Sequence, residues 1–102
     1  MKTITRKELS ARLGAFRRVR NAPSRNGYNT APNQFILHFA NGVALQSYES
    51  LVVVEMDNGE LLFGTDHDYS MTTSRFVKEF CGRTASERRK MLENGEATLI
   101  TD

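Results

Sequence analysis

The feature that most constrains this chain is a change of period at Phe35. From there Phe35, Leu37 and Phe39 alternate with Ile36, His38 and Ala40, the two-residue repeat of a β-strand. Asn41-Gly42 follows, the strongest short-range hairpin signal. On the return strand Val43, Leu45 and Ser47 oppose Ala44, Gln46 and Tyr48. Leu51–Val54 is rich in β-branched side chains and apolar on both faces, which suits a central strand. Asp57-Asn58-Gly59 makes the next turn, and ELLFG completes a second hairpin. The expectation is a four-stranded antiparallel meander over residues 35–64.

Helical signals flank this block. Thr5-Arg6-Lys7-Glu8 is a capping box, and Leu9, Leu13 and Phe16 follow at helical spacing. Gly14 weakens that helix, so it is expected to stop near Leu13, with Phe16–Arg20 continuing as another turn or as a strand. Residues 21–34, NAPSRNGYNTAPNQ, read as a long loop, with Asn26-Gly27 as a turn and Tyr28 as a pin. After the meander, Ser70 or Thr72 is expected to cap a helix running to Cys81, with Gly82 as its left-handed stop. Thr84-Ala85-Ser86-Glu87 is a second capping box opening a short helix, and Ala97–Ile100 reads as a last strand. The fold class expected is α+β: an N-terminal helix, a four-stranded antiparallel meander, two C-terminal helices and a short final strand. The helices are expected on one face of the sheet, in a single domain over residues 1–102. A chain of 102 residues can bury about 65% of its extended surface without disulfides or metals.

The formal charge of +2 is strongly segregated. Residues 1–25 carry a net +7, residues 26–74 a net −6 with no Lys or Arg, and residues 75–102 a net +1. A basic N-terminal arm (residues 1–34) either neutralises an acidic sheet or faces a partner. Arg17, Arg18, Arg20 and Arg25 stand near Phe16 and Tyr28, mixing guanidinium and aromatic groups as single-strand nucleic-acid binders do. Arg88, Arg89 and Lys90 form a second basic run, which joins the first only if the fold brings them to one face.

The densest polar cluster is Asp66, His67, Asp68, Tyr69 and Ser70, extended by Thr72 and Thr73. It reads either as a site in which carboxylates orient the imidazole or as a strand-to-helix corner that satisfies helix amides. Cys81, alone in the chain, reads as a small core residue, and no metal or cofactor is expected. Phosphate-loop, dinucleotide and nucleophile-elbow motifs are absent. No apolar run is long enough for a membrane helix, and the first residues lack the apolar core of a signal peptide, so a bacterial cytoplasm is the expected setting.

The stretches FANGVALQSYESLVVV and DHDYSMTTSRFVKEF resemble a family of small uncharacterised proteins encoded by bacteriophages, plasmids and related mobile elements. The matching residues are Phe39, Asn41, Gly42, Gln46, Ser47, Tyr48 and Ser50, then Tyr69, Ser70, Thr72, Thr73 and Phe80, within residues 35–81. Relatives often carry a Trp near His67 or Asp68, and this chain has none. The resemblance implies a domain of unknown function and no known catalytic residue. The leading expectation is a non-enzymatic accessory protein that binds a host or phage protein as an inhibitor or anti-defence factor. The alternative is a nucleic-acid-binding module using the basic arm, and a distant third is a small ribonuclease using His38 and His67. A homodimer stays open.

Overall fold

A computed structural model describes residues 1–24 and 30–102 of the chain. Its frame is one mixed seven-stranded sheet, with strands β1 (Lys2–Thr5), β2 (Phe16–Pro23), β3 (Thr30–Phe39), β4 (Gly42–Ser47), β5 (Ser50–Met56), β6 (Leu61–Gly64) and β7 (Ala97–Thr101). Helices α1 (Arg6–Leu13), α2 (Met71–Cys81) and α3 (Ala85–Glu93) complete it. The strand order is β1-β7-β6-β5-β4-β3-β2. Successive strands from β2 to β6 pair antiparallel, whereas β7 pairs parallel with both β6 and β1.

This overturns the four-stranded meander. Strands β3 to β6 do form the meander, but it is the middle of a wider sheet. The chain opens on a strand rather than a helix, because Ile4 finds a register opposite Ile100. Parallel pairing joins strands that are distant in sequence, so no turn residue announces it. Of the two readings for Phe16–Arg20, the strand holds. The loop over 21–34 is also corrected: β2 runs to Pro23 and β3 begins at Thr30, paired through Asn21↔Phe35 and Pro23↔Thr30. The Asn26-Gly27 turn, Arg25 and Tyr28 lie outside the described residues.

Helices cover both faces, not one. Leu9 and Leu13 of α1 pack with Ile4, Ala44, Val54, Met56, Leu62 and Ile100. Phe76, Val77 and Leu92 of α2 and α3 pack on the opposite side with Ile36, Leu45, Val52, Val53 and Phe63. Strand β5 serves both layers through a bulge: Leu45 opposes Val53 and Gln46 opposes Leu51, leaving Val52 over. That extra residue is why Val52 and Val53 face the same helices, and why the sequence there reads as apolar on both sides.

The helix termini follow their local chemistry. Glu8 and Thr5 exchange capping-box hydrogen bonds at 3.1 Å, as do Glu87 and Thr84 at 2.9 and 3.2 Å. Ser70, not Thr72, caps α2, and Gly82 ends it with φ +75°. Gly14 turns the chain from α1 into β2 at φ 75°, ψ −154°, a region open essentially to glycine. The Asn41-Gly42 signal does more than make a hairpin. Asn41 Nδ2 donates to the Arg12 carbonyl at 3.0 Å, and the Asn41 amide donates to the Leu13 carbonyl at 3.0 Å. The β3–β4 turn thus caps the C-terminus of α1. Among the described residues no helix is long and apolar enough to cross a membrane.

Candidate functional site

Strand β2 ends the sheet, and one of its edges carries no strand among the described residues. Its register with β3 sorts its side chains. Phe16 and Val19 oppose Phe39 and Leu37 on the α1 face, while Arg18 and Arg20 oppose His38 and Ile36 on the α2 face. Phe16 is 52% exposed, with its ring centroid 5.6 Å from that of Phe39. A bulge between Phe16 and Arg18 accommodates Arg17. Arg20 Nε donates to His38 Nε2 at 3.5 Å. Desolvation, then the charges of Arg18 and Arg20, hold the His38 imidazole below its ordinary value.

The charge segregation is resolved unevenly. Arg12 forms a two-pronged ion pair with Glu60, which holds that carboxylate below its usual range, and Arg6 pairs with Asp102 at 3.5 Å. Arg89 pairs with Asp68 at 3.0 Å. These are the ion pairs among the described residues, and none involves Arg17, Arg18 or Arg20. The basic arm therefore neutralises part of the acidic middle through α1 and, among the described residues, leaves β2 without acidic partners.

The second basic run does not join the first. Helix α3 packs against β7, five strand spacings or about 24 Å from β2. Arg88 is not a surface residue at all: it is 0% exposed. Its Nε donates to His67 Nδ1 at 2.9 Å, Nη1 to the Arg83 carbonyl at 2.7 Å, and Nη2 to Ser74 Oγ at 2.7 Å and the His67 carbonyl at 3.3 Å. Among the described residues no carboxylate pairs with this guanidinium. His67 is buried too, and accepting at Nδ1 requires the neutral tautomer protonated at Nε2. Burial is the main cause that lowers its pKa, Asp68 opposes the shift, and Arg88 and Arg89 reinforce it. Arg88 is thus buried rather than presented to a partner, and with His67 of the polar cluster it forms a polar core between α2 and α3. Arg89 and Lys90 remain exposed.

The rest of the polar cluster does two things. Ser70 Oγ accepts from the Thr73 amide at 3.1 Å, fixing the start of α2, and Thr72 points to solvent. Thr73 Oγ1 and Ser47 Oγ lie 3.2 Å apart, tying α2 to β4, and Ser50 Oγ donates to Asp66 Oδ2 at 2.8 Å, tying β5 to the turn before α2. Between these ties opens a cavity of about 170 Å³ lined by Ser47, Tyr48, Ser50, Val52, Asp66, Tyr69 and Thr73. The two sequence stretches that carry the family resemblance meet here. Local patterning does not single out Ser47, Tyr48 or Ser50 as site residues; the signal lies in Tyr48 and Glu49 forming a two-residue β4–β5 turn, Ser47 being paired with Ser50. Gln34, opposite Ser47, is buried, and among the described residues its Oε1 has no hydrogen-bond partner. Among the described residues no three His, Cys, Asp or Glu side chains are placed to hold a metal ion.

Fold and surface together define a three-layer protein: one mixed sheet between α1 and the α2–α3 pair, with an arginine-bearing edge strand. A model of a family of unknown function, DUF8033, matches residues 19–95, and the chain belongs to that family. The match extends beyond the 35–81 span of the motifs, and takes in most of β2. Comparison with curated proteins and with solved structures gives no match.

Proposed function

We propose that this protein is a non-enzymatic binding module that engages an acidic, extended segment of a partner protein along β2. The observation that supports it is an eight-residue edge strand carrying three arginines with no acidic partner among the described residues. An added strand takes main-chain hydrogen bonds from a free sheet edge, and flanking charge selects its sequence. The resemblance to bacteriophage and plasmid proteins suggests a host or phage protein as partner, bound for inhibition or defence evasion in the bacterial cytoplasm. Capture from host lysate by the wild type and by the Arg17→Ser/Arg18→Ser/Arg20→Ser variant tests this. The expected result is a protein held by the wild type alone that slows hydrogen exchange of β2 amides. Equal capture by both chains, or protection confined to other strands, refutes it.

A second reading has its own observation: Phe16 and Val19 lie exposed on the other face of the same arginine-bearing strand. Single-stranded nucleic acid binds such mixtures through stacking and phosphate contacts. Mobility shifts with single- and double-stranded DNA and RNA at about 50 and 200 mM salt decide it, since phosphate-driven affinity falls steeply with salt. The ribonuclease reading draws no support from geometry, because His67 is buried and its Nδ1 is engaged by Arg88.

A further inference from the structure

We infer that the cavity between Tyr48 and Tyr69 is a binding site for a guanidinium group, the side chain of an arginine on a partner segment. Three observations carry this. Asp66 is half-buried in the cavity wall, with Oδ2 accepting from Ser50 Oγ at 2.8 Å and no cation paired with it among the described residues. Two tyrosines line the same space while standing 60% and 82% exposed. Tyr48 is held there at φ 55°, a conformation that a bulky residue rarely adopts. Its amide donates to the Asn33 carbonyl at 2.7 Å, and its carbonyl accepts from Gln46 Nε2 at 2.8 Å. The two-residue β4–β5 turn sets this φ, and with it the direction in which the Tyr48 side chain leaves the backbone.

A carboxylate beside tyrosine rings is the chemistry that recognises a planar cation. The ring faces attract positive charge, and the carboxylate accepts charge-assisted hydrogen bonds from the guanidinium N–H groups. The serine and threonine hydroxyls at the base can accept the rest. The volume, about 170 Å³, is below the range of small-molecule sites and suits one side chain. An anion is the contrary candidate, because the N-terminus of α2 opens nearby. The Thr73 amide is already taken by Ser70, however, and the Asp66 carboxylate in the cavity wall would repel an anion. This site is separate from β2, and the proposal stands without the edge-strand reading.

The test is an NMR titration of the full chain with acetyl-Gly-Arg-Gly-amide and with the citrulline peptide, which keeps the shape and loses the charge. The arginine peptide is expected to shift the amides of Ser47, Tyr48, Ser50, Asp66, Tyr69 and Thr73 saturably, and to bind about tenfold more tightly than the citrulline peptide. Asp66→Asn, which keeps an acceptor for Ser50, and Tyr69→Ala, at a site too exposed to matter for folding, should each weaken binding several-fold. The inference fails if arginine and citrulline bind equally, if neither variant changes the affinity, or if the shifts map elsewhere.

Discussion

Arg88 is the residue whose role most needs a physical account. A guanidinium without water loses a large hydration energy, and nearby Asp68 is spent on Arg89. Four hydrogen bonds to neutral acceptors stand in for solvent. Removing only the donor leaves those acceptors stranded, so Arg88→Met is expected to cost about 3 kcal/mol, read by urea denaturation. Adding His67→Leu should recover part of that loss, because both polar partners are then gone; a strictly additive double mutant contradicts the direct contact. His67 also couples this core to pH. Its folded pKa lies below the unfolded value near 6.5, so the unfolded chain takes up the proton first as pH falls. Stability is expected to drop from about pH 6.5 downward. Carboxylates held low by their hydrogen bonds, Glu8, Glu60 and Glu87, act only at more acid pH. Melting midpoints at pH 7 and 5.5 should fall further for the wild type than for His67→Gln.

At the level of elements, glycines and turns decide how pieces meet. A Cβ on Gly64 would lie 2.1 Å from the Leu51 carbonyl oxygen, so β6 can approach β5 only with glycine there. Asn41 ties the β3–β4 turn to the last carbonyls of α1. Asn41→Ala removes the side-chain bond and should cost about 1 kcal/mol, with faster hydrogen exchange concentrated in α1. Equal acceleration throughout the sheet would argue against a local capping role. Local signals made the helix starts legible: Thr5 and Thr84 form the capping boxes their spacing predicts, while at α2 the structure decides for Ser70 over Thr72. The four residues of β1 carry one buried apolar side chain, too little pattern for a periodicity argument.

For the whole molecule, α1 connects the two edge strands across one face of the sheet. Removing residues 1–14 would uncover Ala44, Val54, Leu62 and Ile100. The truncated chain is expected to bind hydrophobic dyes and to lose cooperative unfolding; a sharp thermal transition with native-like NMR dispersion would show that the α2–α3 layer suffices. The same crossing splits the basic arm. Arg12 is carried to Glu60, near the β5–β6 turn, while Arg17, Arg18 and Arg20 are delivered to the far edge.

What the sequence alone determines here is local. Capping boxes, the β3–β6 meander and the α2 stop at Gly82 depend on residues within a few positions of one another. The tertiary structure decides everything set by long-range pairing: the parallel β6-β7-β1 half of the sheet, the cover on both faces, and the burial of Arg88 behind His67. It also joins Tyr48 to Tyr69 around one cavity. Charge and hydrogen-bonding capacity are written in each residue, but whether a guanidinium meets solvent or a histidine depends on which distant elements pack around it.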